Sequence, residues 1–312
     1  MYNILNKYKR IFFLLTKLVI VVGAFYFLYI KIANNKGLPF QAFLEQLSIV
    51  GSKGIFVILI LLLFTDANWL LEIFKWKKLA SIENKISFFE AYQQCFASLT
   101  SSIITPNRIG EYGAKSIYFE KGKRKQIMLL NLIGNLSQLL ITITFGVFGL
   151  FFLIKNYSFQ YPEINVLKIV LIVGILVIAI LFRKKLKLYK IGAYFKSISK
   201  KIYVEIVGLS FLRYVFFSHQ FIYLLHLFSV EIDYFTALNL LFCLYFLASI
   251  IPSIAIFDWA IKGSIAVWLF SFVGVNEITI LTITTIMWLL NFAIPAIIGS
   301  IFVLNFKLKK SE

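Results

Sequence analysis

The stretch Thr105-Pro106-Asn107-Arg108-Ile109-Gly110-Glu111-Tyr112-Gly113-Ala114-Lys115-Ser116-Ile117 follows an apolar run, Phe88 to Ile104. It places a proline, an arginine, a glutamate and two glycines where a bilayer-crossing helix should carry none. Isolated charges at membrane depth are costly, and irregular backbone is tolerated there only inside protein or along a wet cavity. So the stretch either lies outside the membrane or is a broken helix lining a site. Pro252-Ser253-Ile254-Ala255-Ile256-Phe257-Asp258-Trp259-Ala260-Ile261-Lys262-Gly263-Ser264 likewise follows an apolar run, Phe235 to Ile251. Glu111-Tyr112-x-x-Lys115 and Asp258-Trp259-x-x-Lys262 are separated by one constant offset of 147 residues (258−111, 262−115), the mark of an internal repeat.

Composition sets the class. The chain has 312 residues, 60% of them hydrophobic and only 15% charged, with a mean hydropathy of +0.87. Soluble domains of this length are far less apolar, so the expectation is an all-α, polytopic membrane protein. The net charge of +18 would suggest nucleic acid in a soluble chain. Here the basic residues sit between apolar runs, so no nucleic-acid partner is expected. Orientation and contact with anionic lipid headgroups are the better reading.

Runs long enough to span are Ile11–Ile30, Ile55–Phe74, Gln126–Ile154, Val166–Phe182, Val204–Phe228 and Ile278–Leu304. The first follows Lys7, Lys9 and Arg10, but it is long for a signal peptide and lacks a small-x-small cleavage site, so it is kept as a span. Basic clusters lie at Lys7–Arg10, Lys75–Lys85, Lys121–Lys125, Arg183–Lys201 and Lys307–Lys310; the segments 31–53, 155–165, 229–234 and 273–277 are poor in them. The basic side is then cytoplasmic, and both termini with it. On this topology Phe88–Phe119 enters and leaves from the cytoplasmic side, and Phe235–Phe272 from the outer side. Residues 1–154 and 155–312 become two copies of span, span, re-entrant hairpin, span, inserted in opposite senses within one membrane domain, 1–312. Residues 183–201 read as a basic linker between the first two spans of the second copy, on the membrane surface or as an ordinary loop.

The candidate site residues follow. Glu111 and Lys115 are spaced i, i+4 and can pair on one helix face. Arg108 and the half-helix after Pro106 suit a phosphate. Asp258 and Lys262 are their counterparts. Asp66 and Arg213 lie within spans, again 147 residues apart, and can pair between the halves. Asn68 and Glu72 extend the Asp66 face, and Glu72 is close enough to Lys75 to be only interfacial. Asn131, Asn135, Gln138 and Thr142 share a face, as cavity lining or as interhelical hydrogen bonds. His219 and His226 have no third ligand in view, so no metal is expected, and no cofactor. Cys95 and Cys243 read as small hydrophobes. The sequence holds no Walker A, HExxH, GxSxG or paired CxxC motif.

Pro106-x-Arg108-x-Gly110-Glu111, followed by a half-helix of small residues and a basic turn, resembles the lysylphosphatidylglycerol synthase transmembrane region family. Those are flippase-like domains, found alone or fused to a soluble aminoacyl-transfer domain. The resemblance implies lipid handling in the bacterial inner (plasma) membrane, with Pro106, Arg108, Gly110 and Glu111 at the motif positions and Pro252 at the second break. Ser253 to Asp258 departs from the second family motif: it has no glycine, and Asp replaces Glu. No counterpart of the soluble domain is seen, so synthesis of aminoacylated lipid is not expected. The expected partner is an anionic phospholipid or a polyprenyl-phosphate-linked substrate. The competing readings are a transferase with Glu111 or Asp258 as general base, and a non-catalytic partner of an envelope enzyme.

Overall fold

The computed structural model describes residues 54–103, 105, 108–157, 188–251 and 255–306, with Glu45 and Ser48. The expected spans Ile11–Ile30 and Val166–Phe182 lie outside these residues, as do Pro106 and Pro252. The described chain is helical. In order it forms α1 (Ile55–Ala80), α2 (Phe88–Ser101), α3 (Gly110–Ser116), a 3₁₀ turn (Lys121–Lys123), α4 (Arg124–Asn156), α5 (Leu188–Ser197), α6 (Lys200–Leu227), α7 (Tyr234–Ile250), α8 (Ala255–Ser271), α9 (Glu277–Trp288), a π segment (Leu289–Ala293) and α10 (Ile294–Asn305).

Among the described residues four helical stretches are long and apolar enough to cross a membrane: Ile55–Ala80, Lys121–Asn156, Lys200–Leu227 and Glu277–Asn305. At 26 residues, α1 is about 39 Å long, enough for a hydrocarbon core of about 30 Å. Its outer face is apolar and exposed at Phe56, Leu59, Leu63, Leu70 and Phe74, a surface that only lipid or further chain can cover. The chain is therefore a multi-span, all-α membrane protein.

Basic residues gather at one end of the bundle. There Lys78 pairs with Glu205, and Lys123 Nζ reaches the Glu83 carbonyl at 3.1 Å and Asn84 Oδ1 at 2.8 Å. The short helix α5 docks at the same end, where Tyr194 donates to Glu83 Oε1 at 2.7 Å. Burial, together with that bond, pushes the Tyr194 hydroxyl well above its usual range and keeps it a donor.

Antiparallel pairings build the bundle. α1 lies along α6, α4 along α7, and α2 along α10. Small residues set the closest approaches, as they do where helices pack without a hydrophobic drive. At Gly149 a Cβ would stand 2.7 Å from the Asn239 carbonyl oxygen of α7, and at Gly299 one would stand 2.6 Å from the Phe96 carbonyl carbon of α2.

Two helix pairs are shorter than spans. α2 starts on a capping box: Ser87 Oγ accepts from the Glu90 amide at 3.1 Å, and Glu90 Oε2 accepts from the Ser87 amide at 2.7 Å. It has 14 residues and α3 has 7. α2 begins beside Asn84, and the turn after α3 carries Lys123, which bonds Asn84, so this pair begins and ends at the basic end. The pair α7–α8 begins and ends at the other end: Phe235 packs on Phe152 (5.8 Å between centroids), and Phe272 on Tyr157 (5.4 Å). The apolar core is divided accordingly. One cluster centres on Ile73, Trp76, Ile127 and Leu130, the other on Phe221, Leu241, Phe270 and Ile283.

Candidate functional site

A cavity of about 330 Å³ lies where the two clusters meet. Arg108, Arg213, Asp258 and Lys262, four of the residues expected from the sequence, line it together. Asn68, Gln138, Asn291, Trp69, Trp259 and Trp288 complete much of its polar wall. Residues from the α2–α3 turn and from α8 thus face one space.

The α2–α3 turn is held by Thr105. Its Oγ1 accepts from the Gly110 amide at 2.9 Å and donates to the Ser102 carbonyl at 2.8 Å, capping the short helix. A Cβ at Gly110 would meet that Oγ1 at 2.9 Å, so the close turn requires glycine there. Arg108 takes the left-handed conformation, with φ of 56°, and its guanidinium pairs with Glu111. A non-glycine residue there costs about 1–2 kcal/mol, and strain of this kind collects at functional sites. Arg108→Gly relieves that strain but leaves the Glu111 carboxylate buried without its partner, so it is expected to melt lower than the unaltered protein as well as losing the cationic group at the cavity. Thermal unfolding in detergent alongside a ligand assay checks this; equal ligand response in Arg108→Gly would contradict the assignment.

Behind the cavity a polar network crosses the bundle. Arg213 of α6 bonds Asn68 Oδ1 through Nε at 2.9 Å and Glu72 Oε2 through Nη1 at 2.6 Å. Glu72 also holds Lys75 at 2.7 Å and lies 3.9 Å from Lys115 Nζ. Lys115 donates to Asn131 Oδ1 at 2.8 Å and stands 4.4 Å over the Trp76 ring. In the other direction Asn68 donates to Asn291 at 3.0 Å, Asn291 to Gln220 at 2.8 Å, and Gln220 to Thr65 Oγ1 at 2.9 Å. Lys75 and Lys115 are each only 2% exposed, so neither reaches out to bulk solvent. Asn291 sits in the π segment ahead of Pro295, whose ring cannot continue the helical ladder; π segments mark functional sites often enough to make this one notable.

Several expected pairings are replaced by others. Glu111 pairs with Arg108 rather than with Lys115, because α3 turns Lys115 inward onto α1 and α4. Arg213 meets Asn68 and Glu72 rather than Asp66. Residues 68 and 72 share one helical face; Asp66, two positions before 68, points elsewhere and is exposed. Glu72, read from the sequence as interfacial, is the carboxylate at the centre of the network. Asp258 and Lys262 pair as spaced, at 2.7 Å. The α4 face divides: Asn131 accepts from Lys115 and Asn135 donates to the Tyr112 hydroxyl, while Gln138 and Thr142 face the cavity. His219 bonds the Val215 carbonyl and the Tyr234 hydroxyl, each at 2.8 Å. Among the described residues no group of His, Cys, Asp and Glu is arranged to hold a metal. Thr65, Gln220 and Asn291 were missed by sequence reasoning. Their signal was spacing: Gln220 lies one heptad after Arg213, and Thr65, Asn68, Glu72 and Lys75 form one stripe of α1.

Fold and cavity together define a polytopic helical membrane protein with a charged interior space, compatible with a transport-like role. No family model, curated protein or solved structure matches the chain.

Proposed function

We propose that the chain is a lipid-headgroup translocase of the lysylphosphatidylglycerol synthase transmembrane type, working in a bacterial inner membrane with both termini in the cytoplasm. The observation that carries this reading is the shared cavity: Arg108 reaches it from one short helix pair, and Asp258 and Lys262 from the other. The pairs begin and end at opposite ends of the bundle. We read each as a re-entrant hairpin and the two halves as inverted repeats, a plan that puts a substrate site near the bilayer midplane. The gathering of basic residues at one end supports a cytoplasmic assignment for that end.

The mechanism follows from where the charges stand. Arg213 presents a planar guanidinium at the cavity wall, and Arg108 and Lys262 add two further cations. A headgroup phosphate binds among them, while its chains stay in lipid beside the apolar outer faces. Rocking of one half against the other opens the cavity to each side in turn. Glu72 and Glu111, ion-paired to the two arginines, hold those side chains in place between cycles.

The test is a headgroup-accessibility assay in proteoliposomes. Arg213→Ala keeps the Glu72–Lys75 pair at 2.7 Å, so folding is expected to survive. Lipid movement should fall about tenfold or more, the loss of one charge-assisted contact. Movement at the unaltered rate would remove Arg213 from the site.

A further inference from the structure

The charges around the cavity do not balance, and the imbalance bears on what it binds. Arg108, Arg213 and Lys262 line the space, and Lys75 and Lys115 stand directly behind it on Glu72. Among the described residues three carboxylates stand against these five cations, Glu72, Glu111 and Asp258, each already ion-paired, which leaves an excess of two positive charges. Three of the cations share the single carboxylate of Glu72. In a low-dielectric interior such an excess is costly unless an anion neutralises it.

The hydrogen-bonding groups point the same way. Trp69 Nε1, Trp288 Nε1 and Arg108 Nε belong to residues lining the cavity, are buried, and have no hydrogen-bond partner among the described residues. Trp69 is 6% exposed and Trp288 9% exposed. An indole or guanidinium N–H can only donate. Gln138 Oε1, an acceptor on the same wall, is likewise buried and without a partner among the described residues, and the Tyr214 and Tyr245 hydroxyls can donate or accept. The groups that can only donate outnumber the one that can only accept, so the wall offers donors in surplus as well as positive charge.

We propose that the cavity is built for a headgroup carrying about two negative charges, a terminal phosphomonoester or a diphosphate, in preference to a phosphodiester or zwitterionic head. This rests on the lipid-headgroup reading given above. A phosphomonoester brings a charge of about −1.5 to −2 and three acceptor oxygens. A phosphodiester brings one charge and two free oxygens. Only the former matches both the charge excess and the donors.

The experiment titrates the full chain in detergent with four probes: dihexanoyl phosphatidic acid, dihexanoyl phosphatidylglycerol, geranyl diphosphate and inorganic phosphate. Isothermal calorimetry reads binding, and quenching of the cavity tryptophans checks it. Phosphatidic acid and geranyl diphosphate are expected to bind about tenfold tighter or more than phosphatidylglycerol. Lys115→Met removes one buried cation and should reduce that ratio; Lys262→Gln does the same from a half-exposed position if Lys115→Met fails to fold. Equal affinity for phosphatidic acid and phosphatidylglycerol overturns the charge preference and leaves the lipid-headgroup reading standing. Inorganic phosphate binding as tightly as phosphatidic acid upholds the preference and overturns the lipid reading. Binding by none of the four overturns both.

Discussion

Glu72→Gln is expected to be the most damaging single substitution in the bundle. Glutamine keeps the shape and removes the charge. Lys75 at 2.7 Å, Arg213 at 2.6 Å and Lys115 at 3.9 Å would then face one another with no anion between them. Breaking a buried ion pair by removing one partner costs about 3–5 kcal/mol, because the remaining charge stays buried. Against a total stability of about 5–15 kcal/mol, that is a large share. The expected result is a sharply lowered melting temperature in detergent, or no monodisperse protein. The double variant Glu72→Gln/Lys115→Met should recover part of the loss, since it removes one orphaned cation. Glu72→Gln melting with the unaltered protein would show that the network carries no weight.

Gly299→Leu is the second. Here α10 and α2 touch backbone to backbone, and the Thr100 hydroxyl donates to the Ala296 carbonyl at 2.7 Å across the same crossing. A side chain at 299 falls on the Phe96 carbonyl, which as backbone cannot be pushed aside, and on the Thr100 hydroxyl. The helices must separate, and the edge-to-face contacts of Phe302 with Tyr92 at 5.5 Å and Phe89 at 6.3 Å go with them. Overpacking costs about 1–3 kcal/mol where side chains can yield, and a backbone obstacle puts this case at or above the upper end. Gly208→Leu is the control, because a Cβ there meets nothing within 4 Å. Equal melting of the two variants would contradict the close crossing. Since α2 leads into the Arg108 turn, the same separation should also weaken binding at the cavity.

Among the described residues the apolar runs foretold the long helices well, because crossing a membrane leaves little freedom. Gln126–Ile154 became α4 at Arg124–Asn156, and Val204–Phe228 became α6 at Lys200–Leu227. Both helices start a little earlier, since lysine and arginine are good helix formers and carry the helix past the apolar run. Ile278–Leu304 is interrupted by the π segment at Leu289–Ala293, which Pro295 accounts for and hydropathy alone does not reveal. Arg108, Arg213, Asp258 and Lys262 stood out in the sequence because charge is rare in apolar surroundings, and the fold brings all four to one cavity. Their partners were not. Glu72 sits four residues from Trp76 and three from Lys75, where an apolar run gives way to a basic end, so position along the chain makes it look interfacial. Only the tucking of Lys115 over Trp76, decided by how α3 packs on α1 and α4, makes it central. The constant offset of 147 residues paired Asp66 with Arg213, but the face of α1 decides contacts, and 68 and 72 hold it.

The central claim is that two short helix pairs enter from opposite sides and meet at one charged cavity. Labelling of single cysteines with a membrane-impermeant maleimide tests it most directly, in a background where the buried Cys95 and Cys243 are replaced by alanine. Asn84→Cys and Gly122→Cys flank the first pair; Glu231→Cys and Gly274→Cys flank the second. The account predicts that the first two label from the cytoplasmic side only and the last two from the outer side only. Asn84→Cys and Gly122→Cys labelling from opposite sides would make α2–α3 a crossing segment and contradict it.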